Sequence, residues 1–421
     1  MISLIRKEFY PYTRFMFFIL SIIGSISCSS RNDNTITFLQ FFSDTQDQNA
    51  VKNIIKEFEG NNHCNVDVKY YDYSKGPNQL ISILTGKQKC DVVAFNSEWL
   101  AQLQDKELLY DFPREKNIDT FYYDLLIDYC RFNGKFYSLP WLVNTRLLYI
   151  NKKIINENKL VNLPLDFQQL LDNSELINER GKYYGIGLAG PSKKAMLKNM
   201  MPLILSFGGN LDDSANEFDL NKNINATGIY FYLKLSRFGI LETKREIENQ
   251  FIDGQIAYCL SDLSLLQKIL EKNLINDIGV ELIPQNGKNP GISYSDAVML
   301  GVNSNSEKKD LSLKFIKELA EWKTKNIFTK DLLKFGVPVR KNYSINFVNN
   351  KSYYSNQINI SFVINKQINN SSLAPKHFRW YDIESIIENE IEKAIYSEKS
   401  VEGSLKEAQE EITNYLKRIR K

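Results

Sequence analysis

Three polar residues stand at the entrance of a strongly apolar segment in the middle of the chain. Asn144, Thr145 and Arg146 follow closely on Trp141 and directly precede the apolar run Leu147–Ile150. A short apolar run of this kind predicts a buried strand. An amide, a hydroxyl, a guanidinium and an indole can hydrogen-bond and stack on a polar solute. The chemistry these residue types suggest is therefore binding.

Residue types suited to catalysis are scarce. The sequence contains no GxSxG elbow, P-loop or HExxH pattern. The two histidines, His63 and His377, leave little for general-base chemistry at neutral pH. Carboxylates are abundant, so a glycosidase pair stays open by composition, but no spacing singles one out. We expect a protein that is not an enzyme, with a carbohydrate-active hydrolase as the alternative.

Periodicity predicts alternating strands and helices in the first hundred residues. Strands at 35–42, 66–73 and 91–95 are separated by segments whose apolar residues recur at helical spacing. This β–α–β order predicts a parallel sheet. The mixed pattern continues through the middle of the chain, and the last forty residues are helical in spacing.

Polar residues follow several of these strands where the strands end. Asp44 follows the first strand, Asn96 and Ser97 follow the third, and Ser261 and Asp262 follow a later strand and begin a helix. Ligands of such sheets bind outside the carboxyl ends of the strands. These five residues are therefore candidates for a binding site.

Length and charge limit the function further. A chain of 421 residues exceeds what one core usually supports, so we expect two lobes. The hydrophobic content of 43% argues against disorder, and the net charge of +3 leaves no basic footprint for nucleic acid. No cysteine or histidine spacing suggests a metal site, and no cofactor is implied.

The N-terminus has the features of an export signal. Arg6, Lys7 and Arg14 precede the apolar segment 15–26, which is too short to span a bilayer comfortably. Cys28 follows at the expected cleavage point, so residues 1–27 resemble a bacterial lipoprotein signal with Cys28 as the lipidated residue and 28–34 as a tether. An uncleaved anchor and an ordinary signal peptide are the alternatives. Each interpretation places the body of the protein outside the cytoplasmic membrane.

Four further cysteines lie in the exported body. Their even number allows two disulfides. Exported proteins of this size do not need such cross-links, so we expect buried free thiols. The four are Cys64, Cys90, Cys130 and Cys259.

Several segments in order resemble the extracellular solute-binding proteins of ABC transporters, the family that includes maltose- and trehalose-binding proteins. The matching stretches are DVVAFNSEWLAQLQDKELLYDF, GKFYSLPWLVNTRLLYINKKI, FIDGQIAYCLSD, MLGVNSNSEKKDLSLKFIKEL with FGVPVRK, and WYDIESIIENEIEKAI. They span residues 35–421 in the family's order.

The resemblance implies the two-lobed periplasmic-binding-protein fold of type II. Each α/β lobe would hold a mainly parallel sheet flanked by helices, with a ligand cleft between the lobes. We place the first lobe at 35–142 with 291–342 and the second at 143–290 with 343–421. The segment around Trp141 would be the first crossing between them.

The resemblance also implies site residues. By family position Asp47, Asn96 and Asn144 would bind the ligand, with Asn at the last two where relatives often carry Asp. Trp141 is expected at the cleft. Arg146 would either bind the ligand or form a structural ion pair.

On the returning strand, Tyr294 and Asp296 are further candidates. Sugar-binding relatives often show Gly-Gly-Trp where Asp296-Ala297-Val298 stands here, and Arg-Pro where Ala374-Pro375 stands. Both departures remove groups that grip disaccharides. A different oligosaccharide, a polyol or a sugar phosphate therefore stays open as the ligand.

The function implied is that of a monomeric, lipid-anchored receptor of the cell envelope. It would close on a small solute, a sugar above all, by hinge motion and deliver it to an ABC permease. A surface lipoprotein of the same fold that binds a partner instead of a transported solute is the remaining alternative.

Overall fold

The computed structural model describes residues 34–42, 44–87, 89–113, 122–160, 163–191, 195–211, 218–321, 330–339 and 360–419. The proposed signal peptide, Cys28 and most of the tether lie outside these residues. Two β-sheets with helices packed on their faces form the two lobes of the α/β fold.

The first sheet belongs to the lobe that begins the chain. Its strands lie in the order β13, β6, β12, β3, β1, β2, with β14 paired to β12. Their bounds are β1 Thr35–Gln40, β2 Asn65–Tyr70, β3 Val92–Asn96, β6 Leu139–Thr145, β12 Ser293–Val302, β13 Val337–Pro338 and β14 Ser371–Ser372.

The second sheet is built from the middle of the chain, in the order β11, β7, β10, β8, β9. Its strands are β7 Leu147–Asn151, β8 Tyr184–Ala189, β9 Gly239–Glu242, β10 Ile256–Ser261 and β11 Ile278–Glu281. A small separate hairpin consists of β4 Arg131–Phe132 and β5 Lys135–Phe136.

Both sheets are mixed rather than mainly parallel. The predicted parallel pairing holds where helices connect successive strands, as between β1 and β2 and between β1 and β3. The strands that pass between the lobes pair antiparallel instead: β6 with β12 in the first sheet and β7 with β10 and β11 in the second. A strand that leaves a lobe beside one that returns to it must run opposite to it, which the local periodicity could not reveal.

Helices cover both faces of each sheet. In chain order they are α1 Thr45–Asn62, α2 Gly76–Thr85, α3 Leu100–Asp105, α4 Asp124–Tyr129, α5 Lys152–Glu157, α6 Phe167–Glu179, α7 Met196–Ser206, α8 Asn223–Ser236, α9 Lys244–Ile252, α10 Leu263–Glu271, α11 Lys309–Glu321, α12 Ile360–Asn369, α13 Trp380–Ile395 and α14 Val401–Ile419. Short 3₁₀ helices lie at Tyr73–Lys75, Ser97–Trp99 and Lys330–Phe335.

Alternation along β7 divides the buried apolar residues of the second sheet between two clusters. Leu147 and Tyr149 point into the cluster that fills the first lobe, whereas Leu148 and Ile150 point into the cluster beneath α13 and α14. The core of the first lobe therefore continues without interruption onto one face of the second sheet.

The lobes also touch at a glycine. Gly76 begins α2 with φ +67°, and a β-carbon there would lie 2.4 Å from Cζ of Tyr381 on α13. The ring of one lobe thus rests on bare backbone of the other, which requires glycine on both conformational and steric grounds.

The glycine-rich segment Gly185–Gly190 fits the spacing of a dinucleotide-binding loop, but most of it is the strand β8 itself. A β-carbon at Gly185 would lie 2.1 Å from the Ser174 carbonyl oxygen, and one at Gly187 would lie 2.6 Å from Ile247. These glycines admit close packing of α6 and α9 on the strand. They do not form a phosphate-binding loop between strand and helix.

The thiols of Cys64, Cys90, Cys130 and Cys259 are buried and free, as predicted. Within the described ranges no helix is both long and apolar enough to cross a bilayer, and no cluster of His, Cys, Asp or Glu side chains could hold a metal ion.

Candidate functional site

A cavity of about 460 Å³ lies where the chain crosses between the two sheets. Seven of the residues predicted for the site line it: Asp44, Asp47, Asn96, Asn144, Arg146, Asp262 and Asp296. Asp44, Asn96 and Asp262 each follow the carboxyl end of a strand, and the rule that ligands bind there located all three.

Arg146 lies in the crossing between β6 and β7 and is 3% exposed. Its backbone N–H donates to Ser293 Oγ at 3.0 Å, and the same hydroxyl donates to the Arg146 carbonyl at 2.9 Å. The guanidinium Nη1 donates to the Tyr294 carbonyl at 2.7 Å and to Asp296 Oδ2 at 2.6 Å. Arg146 thereby ties the outgoing crossing to the returning strand β12, and it forms the structural ion pair that was one of its two expected roles.

Asp296 also binds a lysine from the second lobe. Lys198 on α7 lies 3.1 Å from Asp296 Oδ1 and 2.8 Å from Glu98 Oε2, which belongs to the first lobe. Glu98 and Lys198 are both buried. This pair is a charged contact between the lobes.

A second charged group lies at the start of α9 and α10. Lys244 Nζ lies 2.5 Å from Asp262 Oδ2 and 3.6 Å from Glu248, which also pairs with Lys268 at 2.9 Å. Asp262 Oδ1 accepts the backbone N–H of Ser264 at 2.9 Å and so caps α10.

A third group joins α1 to the 3₁₀ helix at 330–335. Lys334 Nζ donates to Asp44 and lies 3.0 Å from Asp47 Oδ2. Its backbone N–H donates to Gln267 Oε1 on α10 at 2.8 Å. Lys334, in the first lobe, therefore connects the first turn of α1 to Gln267 of the second lobe.

The ion pairs set the protonation states. Burial opposes ionisation of Asp296, but the charges of Arg146 and Lys198 outweigh it and lower the pKa of Asp296. Burial likewise opposes ionisation of Asp262, and Lys244 and Arg146 lower its pKa. Both carboxylates are therefore charged at neutral pH.

Asp47 behaves differently. Burial raises the pKa of Asp47, and the hydrogen bond and charge of Lys334 offset this only in part. Asp47 is 1% exposed, and its Oδ1 has no hydrogen-bond partner among the described residues. An acceptor of this kind on a cavity wall is open to a donor from a ligand.

The two asparagines predicted as ligand residues are occupied within the protein. Asn144 accepts the N–H of Leu263 at 3.0 Å and donates to the Lys334 carbonyl at 3.1 Å. Asn96 donates to Tyr73 Oη at 2.7 Å and accepts the N–H of Glu98 at 3.1 Å. Both line the cavity, where they hold neighbouring elements in place.

One part of the cavity wall is aromatic. Phe41, Tyr73 and Phe335 line it, with the Phe41 ring centroid 5.0 Å from that of Tyr73 and 5.9 Å from that of Phe335. Trp99 stacks behind Tyr73 at 4.9 Å. We call Phe41, Tyr73 and Phe335 the aromatic wall.

Trp141 is not on the cavity wall, contrary to expectation. It is 1% exposed, and its ring lies 5.3 Å from Phe42, which in turn lies 4.3 Å from Phe335. The register of β6 on β12 passes from Leu142 to Pro140 and leaves Trp141 as the extra residue of a bulge. A bulge changes the direction of a side chain, and here the indole supports the aromatic wall from behind.

Three other predicted residues also lie behind the cavity surface. Ser97 Oγ accepts the N–H of Ala297 at 3.2 Å, and Ser261 Oγ donates to Glu248 at 2.6 Å. Tyr294 is 1% exposed, with the Arg146 guanidinium 5.6 Å from its ring centre. These side chains position the lining residues, and their predicted contact with a ligand stays a prediction.

Sequence reasoning missed the three lysines of the cavity. Lys198 is the single charged residue of the largely apolar segment Met196–Leu205, and Lys244 stands in the first turn of a helix, where the helix dipole disfavours a cation. Both unusual positions can be seen in the sequence and could have indicated that these lysines belong to the site. Lys334 carried no such signal, because its partners Asp44 and Asp47 lie almost three hundred residues earlier.

Comparison with known families gives one clear match. Residues 53–351 fit the family described as bacterial extracellular solute-binding protein. A binding protein of Brucella abortus (strain 2308) is 23% identical over 357 residues, which is 82% of each chain. The galactooligosaccharide-binding protein of Bacillus subtilis (strain 168) is 24% identical over 157 residues, 37% of each chain.

Solved structures of similar fold cover nearly the whole chain. The cyclic alpha-maltosyl-1,6-maltose binding protein from Arthrobacter globiformis has a TM-score of 0.77 at 18% identity, covering 91% of this chain and 99% of its own. The sugar-binding protein of Xanthomonas citri has a TM-score of 0.77 at 17% identity, covering 92% and 98%. The GacH receptor of Streptomyces glaucescens has a TM-score of 0.75 at 16% identity, covering 91% and 98%. These likenesses confirm the two-lobed fold.

Replacing Trp141 tests its place in the core. We expect Trp141→Ala to lower the free energy of unfolding by about 3–5 kcal/mol, because it removes a fully buried indole. Trp141→Phe, which keeps a ring against Phe42, should cost clearly less. Urea denaturation measures both. An unfolding free energy for Trp141→Ala equal to that of the unmodified protein would place the indole outside the core.

The contact between the lobes can be measured by a double-mutant cycle on Lys198 and Glu98. We expect Lys198→Met to cost about 3–5 kcal/mol of stability, because a buried carboxylate loses its partner. Adding Glu98→Gln should restore part of this loss. The exposed pair Lys182 and Glu157 is the matched control, for which we expect a coupling energy of at most about 1 kcal/mol. Additive effects at Lys198 and Glu98 would show that the two do not interact.

Proposed function

The chain belongs to the bacterial extracellular solute-binding proteins, and we propose that it binds a sugar or oligosaccharide between its lobes and delivers it to an ABC permease. The observation that carries this proposal is the aromatic wall, which lines the same cavity as Asp44, Asp47 and Asp296. Aromatic faces pack on the C–H faces of a pyranose, while carboxylates accept hydrogen bonds from its hydroxyls.

The dimensions of the cavity suit such a ligand. Its volume of about 460 Å³ lies within the range typical of small-molecule sites. The aromatic wall takes the stacking role that the sequence had suggested for Trp141. Several relatives are sugar-binding proteins, among them the galactooligosaccharide-binding protein of Bacillus subtilis and the sugar-binding protein of Xanthomonas citri, and this supports a saccharide.

Hinge motion is the means of binding. Two of the crossings between the lobes run side by side, from β6 to β7 and from β11 to β12, and Arg146 and Ser293 pin them together. Rotation about this point would separate Lys198 from Glu98 and open the cavity. A solute that contacts both lobes stabilises the closed form.

The carboxylates of the cavity bind and do not transfer protons. Glycoside hydrolysis needs one carboxylic acid with a raised pKa and a second carboxylate beside the scissile bond. Asp296 and Asp262 are held ionised by cations, and the Asp47 carboxyl, whose pKa is raised, is hydrogen-bonded to Lys334. We therefore propose a receptor without catalytic activity, in keeping with relatives that are binding proteins.

We propose that residues 1–27 direct export and that Cys28 carries the lipid anchor. These residues lie outside the described ranges, so the basis for the anchor is the sequence pattern alone.

Thermal unfolding with a ligand panel tests the proposed function. The panel holds neutral mono- and disaccharides, maltotetraose, polyols, amino acids and polyamines. We expect one class of saccharide to stabilise the protein by about 2.7 kcal/mol at 100 times its dissociation constant, because it binds only the folded state. Recovery of the sugar unchanged after long incubation would distinguish a receptor from a hydrolase.

Two outcomes would contradict the proposal. Stabilisation by amino acids or polyamines alone would keep a solute receptor and reject the saccharide. An unchanged unfolding temperature with every compound, together with capture of a partner protein, would favour the lipoprotein that binds a macromolecule.

The anchor is tested by Cys28→Ser in a bacterial host. We expect the unmodified protein to incorporate labelled fatty acid and to sediment with membranes, whereas the variant loses the label and is released. Cys64→Ser, at a buried thiol of the body, is the control and should stay anchored. A Cys28→Ser protein that still sediments fully with membranes would indicate an uncleaved anchor at 15–26.

A further inference from the structure

Among the residues that the structure describes, every lysine on the cavity wall is already bound by carboxylates. Lys198 pairs with Glu98 and Asp296, and Lys244 pairs with Asp262 and Glu248. Lys334 likewise pairs with two carboxylates. The described part of the wall therefore offers no lysine whose charge is unmatched.

The three charged groups differ in their numbers of acidic and basic side chains. Two of them contain at least as many acids as bases. The first joins Arg146 and Lys198 to Glu98 and Asp296, with the carboxyl group of Glu384 nearby. The second joins Lys244 and Lys268 to Glu248 and Asp262. Neither leaves a positive surplus that could receive an anion.

The third group, at the first turn of α1, has a clear surplus of negative charge. Lys334 alone faces both Asp44 and Asp47. Asp44 is the N-cap residue of α1, yet its side chain makes no capping hydrogen bond and is directed to Lys334 instead. We call Asp44 and Asp47 the acidic end of the cavity.

The acidic end has an unused acceptor. Asp47 is 1% exposed and lines the cavity, and its Oδ1 has no hydrogen-bond partner among the described residues. The ammonium of Lys334 already shows which chemistry this pair accepts, namely a donor with positive charge. A hydroxyl or a protonated amine on a solute could complete the shell of Asp47, whereas an anion could not.

We propose that the acidic end selects saccharides by charge, so that neutral and amine-bearing sugars bind and sugars with a carboxylate or phosphate are rejected. The inference rests on the proposed function and narrows it. It removes sugar phosphates from the ligands that the sequence left open, and it makes Asp47 and Lys334 the residues that set the selectivity.

Two physical effects produce the rejection. An anionic sugar would bring a like charge close to the surplus carboxylate in a partly buried site, where screening by water is weak. It would also have to break an existing ion pair to obtain a cationic partner, because each lysine on the described part of the wall is engaged. An amine-bearing sugar meets neither obstacle.

The test is titration calorimetry of the full protein with matched sugars. The probes are glucose, glucosamine and glucuronate, the corresponding galactose series, and maltose and lactose with maltobionate and lactobionate. We expect each acidic analogue of a sugar that binds to bind at least tenfold more weakly than the neutral one. The amine should bind at least as tightly as the neutral sugar.

Two variants should shift the ratio of the dissociation constants of the acidic and neutral sugars in opposite directions. Asp47→Asn removes the surplus charge, so the penalty on the acidic analogue should fall several-fold. Lys334→Met leaves both carboxylates unmatched, so the penalty should rise and the preference for the amine should increase. Asp67→Asn and Lys69→Met, at an exposed pair on β2 of the same lobe, are the matched controls and should leave the ratio unchanged.

The outcomes separate this inference from the function on which it rests. Equal binding of neutral and acidic analogues overturns charge selection while the saccharide receptor stands. A penalty that both variants leave unchanged also overturns it, because rejection would then be steric. No binding of any saccharide overturns the proposed function and this inference together. If one variant fails to fold, the other still separates charge from steric rejection, and equal binding by the unmodified protein overturns the inference without either.

Discussion

A buried guanidinium at the crossing between the lobes is the constraint on which the site depends. Arg146 is almost inaccessible to water, so its charge has to be matched within the protein. Asp296 on β12 supplies the compensating charge, and this ion pair fixes the register of the returning strand β12 against the outgoing strand β6. Asp296 in turn binds Lys198 and so brings α7 to the cavity. The position of the cavity follows from how one arginine is satisfied.

The charged contacts determine how the two lobes are oriented in the closed form, but they contribute little net free energy to closure. Lys198 and Glu98 lose their hydration when the lobes meet, and this cost offsets most of their attraction. The apolar cluster shared by the first lobe and one face of the second sheet supplies attraction that does not depend on orientation. A ligand that contacts both lobes adds to these contributions and shifts the equilibrium toward the closed form.

The parts of this protein that local sequence determines could be predicted. Strand and helix periodicity indicated the α/β lobes, and the ends of parallel strands located Asp44, Asn96 and Asp262 on the cavity wall. The predictions that failed concern a contact between residues far apart in the sequence and a bulge in a strand. Lys334 reaches Asp44 across 290 positions of sequence, and the bulge at Trp141 reverses a side chain that a regular strand would have presented differently. The resemblance to a family supplied the order of segments but not these pairings.

The close contact between the Gly76 backbone and the Tyr381 ring makes residue 76 important for the equilibrium between open and closed forms. Any side chain there would meet the ring of Tyr381 only when the lobes are closed, so it would act as a wedge. Opening the lobes would relieve the clash but not the backbone strain at φ +67°, and the apparent affinity for a ligand falls in proportion to the closed fraction that remains. A substitution at residue 76 would therefore weaken ligand binding without changing any residue that lines the cavity.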